Sequence, residues 1–376
     1  MTDLIQGTHA PRFAGVHAAF VENFTGGMEV GAAVSVVLNG QTVVDLWGGH
    51  KDANRQTPWA KDTLVNVWSV TKGIVALAVA QAVQAGKLDY TQPVADYWPE
   101  FAANGKAAIT LNQILSHQSG LDGLDVPMDM AGLMAWDPYV AAFARMAPLW
   151  QPGSRFLYHF ASFGHLAGEV LRRVDGRRVA EIVAQDIAAP LGTEFYIGLP
   201  ATHDHRVADL ITSPEIDKGV NLWRAGPYPQ SVTNPHMYAG LANDRGWRAA
   251  ELPGLNGQAN ARALAAIYGD LVCDTPHLMT AETREAAITP RFTGVDAREG
   301  KPVNIGAGLF IHGQDYSPHA SLRSFGHGGW GGGMAFGDPD HQIGFGYVTN
   351  HMLAFDDGID PRRTRLIRAV YDALAG

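Results

Sequence analysis

The hydrophobic pattern of the chain has strand character near both ends and helical character between them. Residues 29–50, EVGAAVSVVLNGQTVVDLWGGH, are two apolar runs separated by Asn39 and Gly40, a strong signal for a tight hairpin turn. Three stretches in the C-terminal third also read as strands: IGAGLFIHG, SFGHGGWGGGMAFGDP and QIGFGYVTN. We therefore predict one antiparallel sheet that is built from both ends of the chain.

Helical periods occupy much of the sequence between these strands. An apolar helix is predicted over residues 69–85, where Gly86 ends it, and another over residues 110–120. The stretches AGEVLRRV, VAEIVAQDIAAPLG, ANARALAAIYGDLV and the C-terminal RRTRLIRAVYDALAG are also helical by period. Residues 121–150 are rich in loop formers and suggest a lid or pocket wall, and residues 201–257 are predicted to be irregular.

These elements predict an α/β protein of the α+β type. A central antiparallel sheet is flanked by helices, and a mainly helical domain is inserted into the sheet-bearing one. A chain of 376 residues is long for a single compact core, which favours two domains. We assign residues 1–85 and 165–376 to the domain with the sheet and residues 86–164 to the helical domain, and we expect any active site to lie at their interface.

Composition narrows the possible functions. The net charge is −9 and no window is dominated by Lys or Arg, which argues against nucleic acid as a partner. Cys273 is the only cysteine, so the chain has neither a disulfide framework nor a thiolate metal cluster. The sequence shows no secretory signal and no apolar stretch long enough to span a membrane. We expect a cytoplasmic protein without a membrane partner and without a cofactor or metal.

The first sign of chemistry is the sequence Ser69-Val-Thr-Lys72 at the start of the apolar helix. Residues three apart on a helix share a face, with Cβ atoms about 5–6 Å apart. Serine is a weak nucleophile until a neighbouring base takes its proton. A lysine that is desolvated near the positive end of the helix dipole can be that base. On this motif alone the alternative stays open, in which Ser69 caps the helix and Lys72 is solvated.

Two further stretches favour the catalytic interpretation of Ser69 and Lys72 over the structural one. They are QPGSRFLYHFASFGHLAGEVL at 151–171 and the Gly-rich FGHGGWGGGMAFGDPD at 325–340. With Ser-Val-Thr-Lys they occur in the order, and at roughly the spacing, of the serine β-lactamase and penicillin-binding-protein superfamily. The chain most resembles the members with an active-site tyrosine, class C β-lactamases and above all family VIII carboxylesterases. The similarity covers most of residues 29–350.

The resemblance implies a role for each matching position. Ser69 matches the serine that is acylated, and Lys72 matches the lysine that shuttles the proton and keeps the tyrosine acidic. Tyr158 matches the tyrosine that acts as general base in acylation and activates water in deacylation. The backbone N–H groups of Ser69 and Trp330 match the oxyanion hole.

Two positions depart from the β-lactamase pattern. Residues 158–160 read Tyr-His-Phe instead of Tyr-x-Asn, and residues 327–329 read His-Gly-Gly instead of Lys-Thr-Gly. Both changes remove groups that recognise β-lactams or peptides, whereas the nucleophile, its bases and the oxyanion hole remain. The substrate site is expected to include His327, Gly328, Gly329, Trp330 and Phe160.

We therefore predict a carboxylesterase that cleaves small short-chain acyl esters through an acyl-serine intermediate. A β-lactamase or D,D-peptidase-like amide hydrolase, or an acyltransferase that uses the same acyl-enzyme, is the alternative. Trp136, Trp150 and Trp223 are further candidates for an apolar pocket, with core packing equally favoured. The triad His203-Asp204-His205 is expected to be a solvated loop rather than a metal site.

Overall fold

The computed structural model describes residues 5–213, 215–312, 317–355 and 359–376. The strands, numbered β1 to β11, are Ile5–His9, Gly31–Leu38, Gln41–Gly49, Val65–Asn66, Gln258–Ala259, Phe292–Val295, Pro302–Ile305, Phe310–Ile311, Phe325–Gly328, Met334–Asp338 and Ile343–Thr349. The α-helices, numbered α1 to α13, are Ala14–Thr25, Val70–Gln84, Leu111–Leu115, Met130–Met134, Asp137–Arg145, Ser162–Asp175, Val179–Ile182, Lys218–Ala225, Gln230–Thr233, Arg245–Ala249, Ala261–Asp270, Ala281–Ile288 and Pro361–Ala375.

Nine of these strands form one antiparallel sheet in the order β1-β3-β2-β11-β10-β9-β8-β7-β6. The N-terminal hairpin of β2 and β3 pairs with the C-terminal strands in the middle of the sheet, where Val34 of β2 lies opposite Tyr347 of β11. Asn39 and Gly40 both adopt left-handed conformations, with φ of 42° and 74°, as the tightest hairpin turns require. The predicted antiparallel sheet from both ends of the chain is confirmed.

Helices cover both faces of this sheet. Phe336 of β10 and Phe345 of β11 belong to a core formed with α1 and α13, whereas Ala335 and Val348 of the same strands pack with α2 and α11. Alternate residues of a strand point to opposite faces, so both sets are buried. This two-sided burial explains why the strands read as continuous apolar runs.

The helix α2 is buried along most of its length. Every residue from Val70 to Ala80 is buried, and the helix packs on α6, α12 and strand β9. A helix surrounded by protein has no polar face, and its sequence is accordingly apolar on all sides. The N-terminus of α2 therefore begins inside the molecule, beside the sheet.

Several boundaries differ from those predicted. Helix α3 ends at Leu115 instead of Gly120, since His117 adopts a left-handed conformation with φ of 58° that no α-helix accommodates. The stretch IGAGLFIHG is divided between β7 and β8, and its last residue, Gly313, lies outside the described residues. Residues 121–150 contain α4 and α5, and residues 201–257 contain the short helices α8, α9 and α10.

Residues 86–164, all of which the structure describes, contain helices and no strand of the large sheet. Their treatment as a separate helical domain stays a prediction. No helix within the described ranges combines the length and the apolar character that crossing a membrane requires.

Candidate active site

Ser69 is the N-cap residue of α2, at the end of a strained segment. Trp68 before it has φ of 47°, a left-handed conformation that is rare for a bulky side chain. The Thr71 hydroxyl donates to the Trp68 carbonyl at 2.5 Å and accepts the Gly257 N–H at 2.9 Å. These bonds hold the turn in place and fix where the Ser69 side chain projects.

Lys72 follows one helical turn later and is completely buried. Its Nζ lies 3.0 Å from Ser69 Oγ and donates to the Gly254 carbonyl at 2.8 Å. Burial lowers the pKa of Lys72 well below its usual value, and the carboxylate of Asp122 opposes this shift only in part. A neutral amine can donate to Gly254 while it accepts the Ser69 proton. The alternative of a solvated Lys72 is wrong.

Tyr158, which is partly exposed, lies beside the same pair. The Lys72 Nζ is 5.0 Å from the centroid of the Tyr158 ring, and the Tyr158 hydroxyl interacts with the Ser69 hydroxyl. Desolvation of the Tyr158 hydroxyl, which points into the site, raises its pKa above the usual value, and the Ser69 interaction counters this only partly. The tyrosine is therefore a neutral phenol at rest, whereas the resemblance implied an acidic one.

The Gly-rich turn between β9 and β10 passes directly beside the start of α2. A Cβ added to Gly329 would lie 2.4 Å from the Val67 carbonyl oxygen, so only glycine permits this approach. Among the described residues, no protein acceptor takes the backbone N–H of Ser69 or of Trp330. Both groups are available to a substrate oxygen, as an oxyanion hole requires.

Aromatic side chains form a wall beside these groups. The ring of Phe160 lies 5.6 Å from that of Trp223 and 6.0 Å from that of Trp330. The Trp330 ring also packs on Trp68, at 4.9 Å between centroids. The wall provides an apolar surface with no amide where β-lactamases place an Asn. Two other candidates, Trp136 and Trp150, are buried and pack on His165 and on Tyr228.

His327 and Gly328 occupy the end of β9. The imidazole of His327 is 3% exposed, and its Nδ1 lies 2.7 Å from the Gly328 carbonyl oxygen. Burial lowers the pKa of His327 to about 3, so the ring is neutral near pH 7. These two positions thus offer a substrate carboxylate neither the cation nor the hydroxyl of Lys-Thr-Gly.

Sequence reasoning missed an ion pair behind Tyr158. Asp122 and Arg298 form a buried salt bridge, although 176 positions separate them. Arg298 also donates to the carbonyls of Tyr158 at 3.2 Å and Tyr228 at 3.3 Å, and its guanidinium lies 4.8 Å from the ring of Trp223. Burial raises the pKa of Asp122 to about 6, with Arg298 opposing. No local pattern marks such a distant pair.

Other candidates lie apart from this site. The His205 ring bonds the Thr202 carbonyl at 3.0 Å, and the described residues contain no cluster of three or more His, Cys, Asp or Glu side chains that could hold a metal ion. A cleft of about 590 Å³ opens beside α1 and α13, but none of the predicted site residues lines it. The chemistry around Ser69 does not extend to that cleft.

Known proteins match almost the whole chain. A family model described as Beta-lactamase matches residues 20–369. The esterase/beta-lactamase LipL of Mycobacterium tuberculosis is 32% identical over 373 residues, which cover 93% of this chain and 83% of the relative. A family VIII carboxylesterase structure is similar with a TM-score of 0.90 and 40% identity, covering 98% of this chain and 99% of that chain. A penicillin-binding protein homologue from Caulobacter crescentus is similar with a TM-score of 0.87 and 39% identity, at the same coverage. These matches confirm both the predicted fold class and the resemblance to the serine β-lactamase and penicillin-binding-protein superfamily.

Proposed function

Since the chain belongs to the β-lactamase family of serine hydrolases, we propose that it is a carboxylesterase that hydrolyses small, short-chain acyl esters. The observation that carries this proposal is the 3.0 Å contact between Ser69 Oγ and the buried amine of Lys72. An uncharged amine at that distance is the base that a serine nucleophile needs. The similarity to a family VIII carboxylesterase and to an esterase/beta-lactamase supports the choice of esters.

Each group of the site has a role in the proposed acylation step. Ser69 Oγ attacks the ester carbonyl while Lys72 takes its proton. The carbonyl oxygen becomes negative and accepts the N–H groups of Ser69 and Trp330, which is worth about 3–4 kcal/mol per donor. Tyr158 gives its proton to the departing alcohol and recovers one from the Lys72 ammonium. The acyl group is left on Ser69.

Water then releases the acyl group by the reverse sequence of proton transfers. The Tyr158 and Lys72 pair takes a proton from the attacking water, and Ser69 Oγ is reprotonated as it leaves. The tetrahedral intermediate uses the same two N–H groups. In this proposal the helical segment 86–164 supplies Tyr158 and the sheet-bearing part supplies Ser69 and Trp330, so the active site lies between the two.

The walls of the site favour esters over β-lactams. Phe160 cannot pair with an acylamino group, Gly328 has no hydroxyl, and the neutral His327 offers a carboxylate no charge. A β-lactam would therefore bury polar groups without partners, at about 1–3 kcal/mol each. A short ester needs only the oxyanion hole and the aromatic wall of Phe160, Trp223 and Trp330.

A substrate panel tests the proposal. We expect p-nitrophenyl esters of two to six acyl carbons to be hydrolysed at least about 10³-fold faster, by kcat/KM, than a chromogenic cephalosporin, from about two lost polar contacts. A fluorophosphonate should label the protein once, on the peptide with Ser69. Ser69→Ala should lose at least about 10³-fold in kcat, while Ser154→Ala, at an exposed serine, keeps its activity.

Two other outcomes would redirect the assignment. Equal efficiency on esters and the cephalosporin would place β-lactamase activity first. Transfer of the acyl group to an added alcohol in preference to water would indicate an acyltransferase. A fluorophosphonate label on another serine would contradict the mechanism itself.

A further inference from the structure

Arg362 is a completely buried arginine at the start of α13, outside every motif that predicted the site. Its guanidinium pairs with Asp360, the N-cap residue of the helix, at 2.7–3.2 Å through Nη2 and Nε. The carboxylate of Glu29 lies 3.4 Å from Nη1. Two acidic groups thus accompany this buried cation, which is the condition under which proteins tolerate one.

The same guanidinium reaches backbone carbonyls of three separate segments. Nη1 donates to His351 at 2.7 Å and to Met28 at 3.3 Å, and Nη2 donates to Gly331 at 2.9 Å. Gly331 belongs to the turn between β9 and β10, one residue after Trp330. In the described part of the chain, no other side chain hydrogen-bonds the backbone of residues 329–333.

The turn is shaped to receive this arginine. Gly332 has φ of 127°, and a Cβ there would lie 2.6 Å from both Arg362 Nη2 and Asp360 Oδ2. Inside the turn, Gly329 donates to the Gly333 carbonyl at 2.7 Å. These internal bonds close the loop, and the hydrogen bond from Arg362 to Gly331 ties it to the start of α13.

We propose that Arg362 is a positioning residue for the oxyanion hole, because its hydrogen bond to Gly331 fixes the turn that presents the Trp330 N–H. This inference rests on the proposed acyl-Ser69 chemistry. A change at Arg362 should therefore affect the rate only where negative charge develops on the substrate carbonyl oxygen. An oxyanion donor must lie within a few tenths of an ångström of its place to stabilise that charge. A lysine at this position keeps the charge but cannot span the same set of acceptors.

The test compares Arg362→Lys with wild type on a phenyl ester and on the matched thionoester, in which sulfur replaces the carbonyl oxygen. Sulfur accepts hydrogen bonds weakly, so the thionoester gains little from the oxyanion hole. We expect Arg362→Lys to lower kcat/KM for the ester about 10- to 100-fold, mainly through kcat. The ratio of ester to thionoester efficiency should fall at least about fivefold.

Arg262→Lys is the matched control, because Arg262 also forms a two-pronged ion pair, with Asp45, but bonds the Lys61 carbonyl rather than the turn. Its ester-to-thionoester ratio should equal that of wild type. If Arg362→Lys does not fold, Gly332→Ala disturbs the same junction from the turn and should lower the ratio. Equal losses on both substrates, or no loss, would overturn the positioning role.

The proposed function can be wrong while the inference about Arg362 is right, and the two cases can be distinguished. If the wild-type protein hydrolyses neither ester, the esterase assignment is wrong, and the rate at which a fluorophosphonate modifies Ser69 then decides the role of Arg362. The P=O oxygen of this reagent takes the place of the oxyanion, so Arg362→Lys should slow the modification about 10-fold or more, whereas Arg262→Lys should not. An unchanged rate would overturn the inference.

Discussion

At the scale of single residues, catalysis and stability make opposite demands on Lys72. Its amine is completely buried between Ser69 Oγ and the Gly254 carbonyl, and burial lowers its pKa. In the unfolded chain a lysine keeps its proton up to about pH 10.4. The unfolded state therefore binds more protons than the folded one at neutral pH, and stability rises with pH until the unfolded lysine also titrates.

We expect Lys72→Met to be inactive and more stable than wild type at pH 7, with a smaller advantage at pH 9.5. The reason is that the wild type alone regains stability from Lys72 as the pH rises. Urea unfolding of both proteins at the two pH values measures the difference. Lys87→Met, at an exposed lysine paired with Asp175, should show no such change. An advantage independent of pH would mean that Lys72 stays charged in the fold.

Lys72 and Tyr158 should behave as one unit in proton transfer. Tyr158→Phe and Lys72→Ala should each remove most of the activity, and the double variant should lose little more than either. The acid limb of the kcat/KM profile should rise with an apparent pKa that belongs to the coupled pair. Single-turnover kinetics across pH 5–9 would test both points. Losses that multiply in the double variant would show independent roles.

The sequence reveals site residues only where they are joined by a local pattern. Ser69 and Lys72 are three apart on one helix, and Tyr158 follows a recognisable Pro-Gly turn. Asp122, Arg298 and Arg362 support the same groups, but their partners are distant in the chain and no spacing relates them. The raised pKa of Tyr158 was also missed, because it depends on burial rather than on identity.

At the scale of elements, α2 shows both the strength and the limit of sequence patterns. Its apolar run predicted residues 69–85, and the helix spans Val70–Gln84 with Gly86 left-handed just beyond it. The apolar run of α2 has no helical period from which the side facing the sheet could be predicted, because nearly all of its residues are buried. In α3 the helical signal continued past Leu115, but the local conformation of His117 ended the helix earlier. Helix ends depend on contacts that periodicity does not report.

The burial of α2 along most of its length leads to a prediction about packing. Ala78 lies in the middle of the helix and is 1% exposed, so a larger side chain has no space there. We expect Ala78→Leu to lower the free energy of unfolding by about 1–3 kcal/mol. Ala85→Leu, at the exposed end of the helix, should change it by less than about 0.5 kcal/mol. Equal effects in urea unfolding would contradict the close packing around α2.

At the scale of the whole molecule, the sheet could be predicted because the apolar runs at both ends of the chain must be buried together. The Asn39-Gly40 turn fixed one pairing, but the order of the nine strands and the pairing of β2 with β11 depend on contacts between distant residues. The edge strands β1 and β6 and helix α1 were missed. Residues 5–9 alternate weakly, and most of β1 is exposed.

The Asp122–Arg298 pair connects the helical segment 86–164 to the β6–β7 connection, and it should matter to the molecule as a whole. Removal of one partner leaves the other charge buried, which typically costs about 3–5 kcal/mol. We expect Asp122→Asn to lose stability in this range at pH 8. The loss should be larger at pH 5, because burial raises the folded-state pKa of Asp122 to about 6, above its unfolded value of about 3.9, so only the wild type gains stability from this group as the pH falls through 6.

Removing both charges separates stability from activity. We expect the double variant Asp122→Leu/Arg298→Met to regain most of the lost stability, because no buried charge is left without a partner. Its kcat should stay about 10- to 100-fold below that of wild type, since the carbonyls of Tyr158 and Tyr228 lose the guanidinium that positions them. Urea unfolding and ester kinetics on the same preparations measure the two effects. A double variant with full kcat would show that Tyr158 is held by the aromatic packing around it, such as the contact with Trp223, and that the ion pair serves the fold alone.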